Sequence, residues 1–132
     1  MKSKVIAIDF DGTIVTDKFP EVGDDIGATR VIKRLQDCGH KIILYTMRAF
    51  ESDVNEDTIS EAIEFCESKG IEFFGINHNP DQESWNQSPK IYADLYIDDR
   101  SAMIPLLYDI NDNPYVNWSK VEMWLEENGY FR

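Results

Sequence analysis

Four short apolar runs rich in β-branched residues, VIAI (5–8), KIILYT (41–46), IEFFGIN (71–77) and LYID (95–98), alternate with stretches whose apolar residues recur at helical spacing. A run that is apolar at nearly every position has no solvent face. It suits a parallel strand covered on both sides, and parallel strands must be joined by long crossovers, usually helical. Ala28, Val31, Ile32 and Leu35 form one helical stripe, with Asp24 or Asp25 placed to cap its start and Gly39 where a C-terminal glycine belongs. Ile59, Ala62, Ile63 and Cys66 form a second within residues 57–69, closed by Gly70. A C-terminal helix is expected around WSKVEMWLEEN (118–128), with Trp124 and Leu125 in the core, and a fifth strand near LLYDI (106–110). The stretches TDKFPEVGDD (16–25) and NHNPDQESWNQSPK (77–90) read as loops, the first suited to moving over a site. Right-handed crossovers then predict an α/β fold, a three-layer α/β/α sandwich with a mostly parallel sheet and helices on both faces. Residues 1–132 read as one domain, long enough to bury a core without disulfides or structural zinc.

Ligands of such sheets bind at the carboxyl ends of the strands. Asp9 and Asp11 follow the first strand, Thr46, Met47 and Arg48 close the second, and Asp98, Asp99 and Arg100 close the fourth. Four carboxylates thus converge on one crevice. Asp9 and Asp11 project to the same side of an extended chain, and a divalent cation or a shared proton would relieve their repulsion. An EF-hand calcium loop does not fit, because that loop needs glycine at its sixth position and Gly12 falls at the fourth.

A net charge of −12 opposes sequence-independent binding to nucleic acid, so any phosphate must be met locally by a few cations, a metal ion or backbone N–H groups. Cys38 and Cys66 lie far apart without metal-ligand spacing and read as reduced helix residues. The apolar run before Asp9 is too short for a signal peptide or a membrane span, which leaves a cytoplasmic protein with no membrane partner as the expectation.

The segments DFDGT, LYT and the lysine of SPKIYADLYIDDR, in that order, resemble the signature motifs of the haloacid dehalogenase (HAD) superfamily. The resemblance implies a Rossmann-like, HAD-like sandwich and a Mg²⁺-dependent phosphomonoesterase. Asp9 would be the nucleophile, forming an aspartyl phosphate, and Asp11 the general acid and base, its backbone carbonyl facing the metal. Thr46, with Met47 and Arg48, would bind the phosphate, while Lys90 would neutralise charge on the phosphate and on Asp9. Asp9, Asp11 and Asp99 would hold Mg²⁺ and Asp98 would support them, with the reverse order of the acidic pair left open. Arg48 and Arg100 read equally well as substrate ligands and as counter-ions to the acids, and His78 reads as a loop residue.

Neither the segment after Asp11 nor that between Thr46 and Lys90 has room for the cap domain that selects substrates in many HAD proteins. A capless chain is therefore expected, acting on a small phosphorylated metabolite such as a sugar phosphate. Cover would come from the flap between Val15 and Asp25 or from a second subunit in a homo-oligomer. Capless relatives include phosphatases of polynucleotide ends, which the net charge disfavours. An idle module binding phosphate and metal is the reading from another class, although such a module would not require the Asp11 carboxyl.

Overall fold

The computed structural model describes residues 1–54 and 56–132. Strands β1 (Val5–Ile8), β2 (Lys41–Leu44), β3 (Phe73–Ile76) and β4 (Leu95–Ile97) form one parallel sheet in the order β3-β2-β1-β4. Helix α1 (Ala28–Asp37) crosses from β1 to β2, and α2 (Ile59–Ser68) from β2 to β3. Chain order runs outward from β1 to β3 and then jumps back to β4 on the other side of β1. The C-terminal ends of β1 and β4 therefore flank the switch point, where open α/β sheets bind ligands.

The cap of α1 follows from Asp25, whose Oδ1 accepts the backbone N–H groups of Gly27 and Ala28, each at 3.0 Å. At α2, Asp57 does the same for Ser60 at 3.0 Å. Buried residues of α1, α2 and α3 (Trp118–Glu127) share one cluster with Ile6, Ile8, Ile42 and Leu44.

The helices lie on one face of the sheet, not on both. The opposite face, with Ala7 and Ile43, packs against Ile91, Ala93, Phe74 and Tyr96, and no α-helix contributes to that cluster among the described residues. The cause is the connector from β3 to β4. It carries Pro80 and Pro89 and forms only a 3₁₀ turn at Gln82–Ser84 where a crossover helix would otherwise sit.

The expected fifth strand exists as β5 (Leu106–Asp109), outside the parallel sheet. It pairs antiparallel with β6 (Asp112–Val116), a strand that Pro114 concealed in the sequence. The hairpin is tied to the loop after β1 by Val116 N–H donating to Gly12 O at 3.0 Å. Leu125 is fully buried, but Trp124 is half exposed, and Trp118 takes the core position instead. Cys66 is a buried free thiol of α2, pushed up to about 12 by burial, whereas Cys38 is exposed just beyond the end of α1. No helix among the described residues is long and apolar enough to cross a membrane.

Candidate functional site

The chain leaves β1 at Asp9 in a tight, hydrogen-bonded loop. Gly12 N–H donates to Val15 O at 2.7 Å, Ile14 N–H to Phe10 O at 2.8 Å, and the buried indole N–H of Trp118 to Thr13 O at 2.6 Å. Thr13 is the clasp of the site. Its hydroxyl donates to Asp9 Oδ2 at 3.0 Å and accepts from Asp99 N–H at 3.0 Å, joining the ends of β1 and β4 through one side chain. It stood inside DFDGT with no role assigned, and a buried threonine in a turn gives no sequence sign of the second strand it reaches.

Carboxylate oxygens of Asp9, Asp98 and Asp99 lie within 4.8 Å of one another. Burial, then the charge of Asp98 and a hydrogen bond with the Asp99 carboxyl, push Asp9 up to about 8, against the pull of Phe10 N–H and the Thr13 hydroxyl. Asp99 is also raised, first by burial and then through Asp98. Carboxyl groups that resist ionising together form a hard, all-oxygen donor set suited to Mg²⁺. Asp98 belongs to this group together with Asp99, although Asp99 is the one hydrogen-bonded to Asp9, and Asp98 Oδ1 accepts Arg100 N–H at 2.9 Å.

Gly12 sits with φ +78°, and a Cβ there would clash with Asp99 Oδ2. Gly12→Ala is therefore expected to displace the Asp99 carboxylate and to strain the backbone by about 1–2 kcal/mol. Divalent-cation affinity should fall on the order of 10- to 100-fold with a modest drop in melting temperature, read by calorimetric titration and thermal denaturation.

The carboxylate of Asp11 faces a different partner. Arg48 Nε donates to its Oδ2 at 2.8 Å and Nη2 to its Oδ1 at 2.7 Å. Thr46 lies at the cleft, its N–H donating to Asn77 Oδ1 at 2.8 Å and its hydroxyl oxygen accepting from Arg48 N–H at 3.1 Å. Met47 is fully exposed at the mouth of the cleft, a cavity of about 390 Å³ that Asp9, Asp99 and Arg100 also line. The Arg100 guanidinium has no ion-pair partner among the described residues.

Lys90 is not brought against Asp9. Its Nζ lies 5.8 Å from the Tyr96 ring centroid, in an adjoining cavity of about 360 Å³ that meets the cleft at Asp98. His78 pairs with Glu83 at 2.9 Å on the loop after β3. The 16–25 segment is anchored: Thr16 N–H donates to Asp24 O and Asp24 N–H to Thr16 Oγ1, both at 2.9 Å, while Lys18 pairs with Asp112 at 2.7 Å.

No family model and no curated protein matches the chain. A solved structure described as that of a conserved protein coded by a locus from Bacteroides thetaiotaomicron is 34% identical to it, with a TM-score of 0.74. The match covers 96% of this chain and 93% of the Bacteroides chain.

Proposed function

The chain belongs to the family of that conserved Bacteroides thetaiotaomicron protein, and from its own residues we propose that it is a capless, HAD-like, Mg²⁺-dependent phosphomonoesterase. The observation that carries the reading is the convergence of Asp9, Asp98 and Asp99 at the switch point, with Asp9 half-buried in the cleft wall and clasped by Thr13.

In the first step an Asp9 carboxylate oxygen attacks phosphorus. The bond from phosphorus to the ester oxygen breaks, and the departing oxygen takes a proton from Asp11. In the second step water attacks the phosphorus of the aspartyl phosphate and gives its proton to Asp11, which releases inorganic phosphate and restores Asp9. Asp9, Asp98 and Asp99 would hold Mg²⁺, which would offset most of their charge and polarise the phosphoryl group. Thr46 and Arg100 offer donors to the phosphoryl oxygens, and Lys90 would act from the neighbouring cavity through movement of its flexible side chain. The acidic surroundings and the small open cleft favour a small phosphorylated metabolite, such as a sugar phosphate, as substrate.

The placement of Lys90 over the Tyr96 ring, with no ion pair to Asp9, favours one second reading, a module that binds metal and phosphate without turnover. Hydrolysis of a chromogenic phosphate monoester separates the two. The phosphatase reading expects turnover with Mg²⁺ and its loss with excess chelator, Asp99→Ala raising the Mg²⁺ requirement more than Asp98→Ala. Turnover undiminished in chelator, or metal binding without turnover, would contradict it.

A further inference from the structure

Arg48 is 2% exposed, yet it is a charged side chain at the wall of a cleft. A guanidinium has five N–H donors, and here each has an acceptor. Nε and one N–H of Nη2 hold the two oxygens of Asp11. The second N–H of Nη2 reaches Glu21 O at 2.8 Å, and Nη1 reaches Pro20 O at 3.1 Å and Thr58 O at 2.7 Å. The rings of Phe10 and Phe19 lie 5.0 and 5.2 Å from its Cζ. Nothing is left to donate to a ligand.

The acceptors come from three places, namely the loop after β1, the segment over the cleft, and the residue before α2. One planar group thus fixes the Asp11 carboxylate relative to the cover of the cleft. Bidentate pairing occupies one lone pair on each carboxylate oxygen and leaves the other. The Asp11 side chain keeps 17% of its surface exposed, so those lone pairs have access to the cleft.

We propose that Arg48 is a positioning residue, holding Asp11 in the orientation for proton transfer and locking the 17–25 segment to it, and that it binds no part of the substrate. This role rests on the phosphatase reading above. A lysine keeps the charge but cannot form the fork, so Arg48→Lys should free the Asp11 carboxylate to rotate. Loss of proton transfer penalises a poor leaving group far more than a good one.

The test is the ratio of kcat/KM for an alkyl phosphate to that for an activated aryl phosphate, which cancels any change in the folded fraction. The ratio should fall on the order of 10²-fold in Arg48→Lys. It should fall no further in Arg48→Lys combined with Asp11→Asn than in Asp11→Asn alone. Inhibition by inorganic phosphate should be unchanged. Amide hydrogen exchange across residues 16–25 should accelerate about tenfold or more, a readout that needs no turnover.

If Arg48→Lys does not fold, Phe19→Ala carries the same test. It removes one aromatic face from the guanidinium at a residue that is 56% exposed, and a several-fold fall in the ratio is expected. An unchanged ratio, or a weakened inhibition by phosphate at constant ratio, would overturn the proposal and make Arg48 a structural or phosphate-binding group. A wild-type protein that hydrolyses neither ester would instead overturn the phosphatase reading and the role of Arg48 with it, whatever the exchange data show of the clamp.

Discussion

Asp9→Asn is expected to abolish phosphate-ester hydrolysis while making the cation-free protein more stable at alkaline pH. The amide keeps the size of the carboxyl and can still accept from Thr13, which lies 3.0 Å away, but it has no oxyanion with which to attack phosphorus. A loss on the order of 10⁴-fold or more is expected from removing a nucleophile. The stability change runs the other way. Asp9 is raised from 3.8 to about 8 by burial and its acidic neighbours. A group whose folded value is raised lends its stability in full below the unfolded value and loses it as pH climbs through the folded one. Wild-type protein in chelator should therefore melt at a lower temperature at pH 9 than at pH 5. Asp9→Asn should lack most of that slope, since about 1 kcal/mol moves the midpoint of a domain this size by roughly 3–5 °C. Thermal denaturation of both proteins across that range checks it, and an inactive variant that is also less stable at pH 9 would point to misfolding.

Asp11→Asn should cost on the order of 10²- to 10⁴-fold on alkyl phosphates. The effect should shrink on activated aryl phosphates, which depart with little protonation. The aryl substrate should then form the phospho-enzyme and release it slowly, because water has lost its base, so a burst of phenolate is expected ahead of slow turnover. In contrast to Asp9→Asn, this variant should be less stable than wild type. Its amide turns an N–H₂ toward a buried guanidinium that now meets one acceptor in place of two, a cost of about 1–3 kcal/mol. Opposite stability changes at two aspartates only two positions apart would reflect their different neighbours, an acidic cluster for Asp9 and an arginine for Asp11.

Much of the sheet was legible because its strands are apolar throughout and its helices carry clean stripes closed by glycine. Gly39 and Gly70 both stand at positive φ just past α1 and α2. Placing Asp9, Asp98 and Asp99 together needed only the strand ends and the rule that ligands gather there. Other features left weaker marks. β6 contains Pro114, and the Ile110 and Asn111 turn before it lacks a glycine signal. The one-sided helix layer depends on the β3–β4 connector failing to form a helix, which its prolines suggested without showing what would cover Ala7 and Ile43. The saturation of Arg48 was invisible because three of its partners are backbone carbonyls, of Pro20, Glu21 and Thr58, and any residue type supplies those. The same tie explains why the segment expected to move over the site is anchored.

The account stands on Asp9 carrying the phosphoryl group. Rapid acid quench of the Asp11→Asn protein during turnover of an activated aryl phosphate, followed by borohydride reduction and peptide mass spectrometry, tests that directly. The predicted result is conversion of Asp9, and of no other carboxyl, to the reduced alcohol in proportion to the phenolate burst. Unmodified Asp9 despite a burst, or label on Asp98, Asp99 or a side chain outside the cleft, would contradict it.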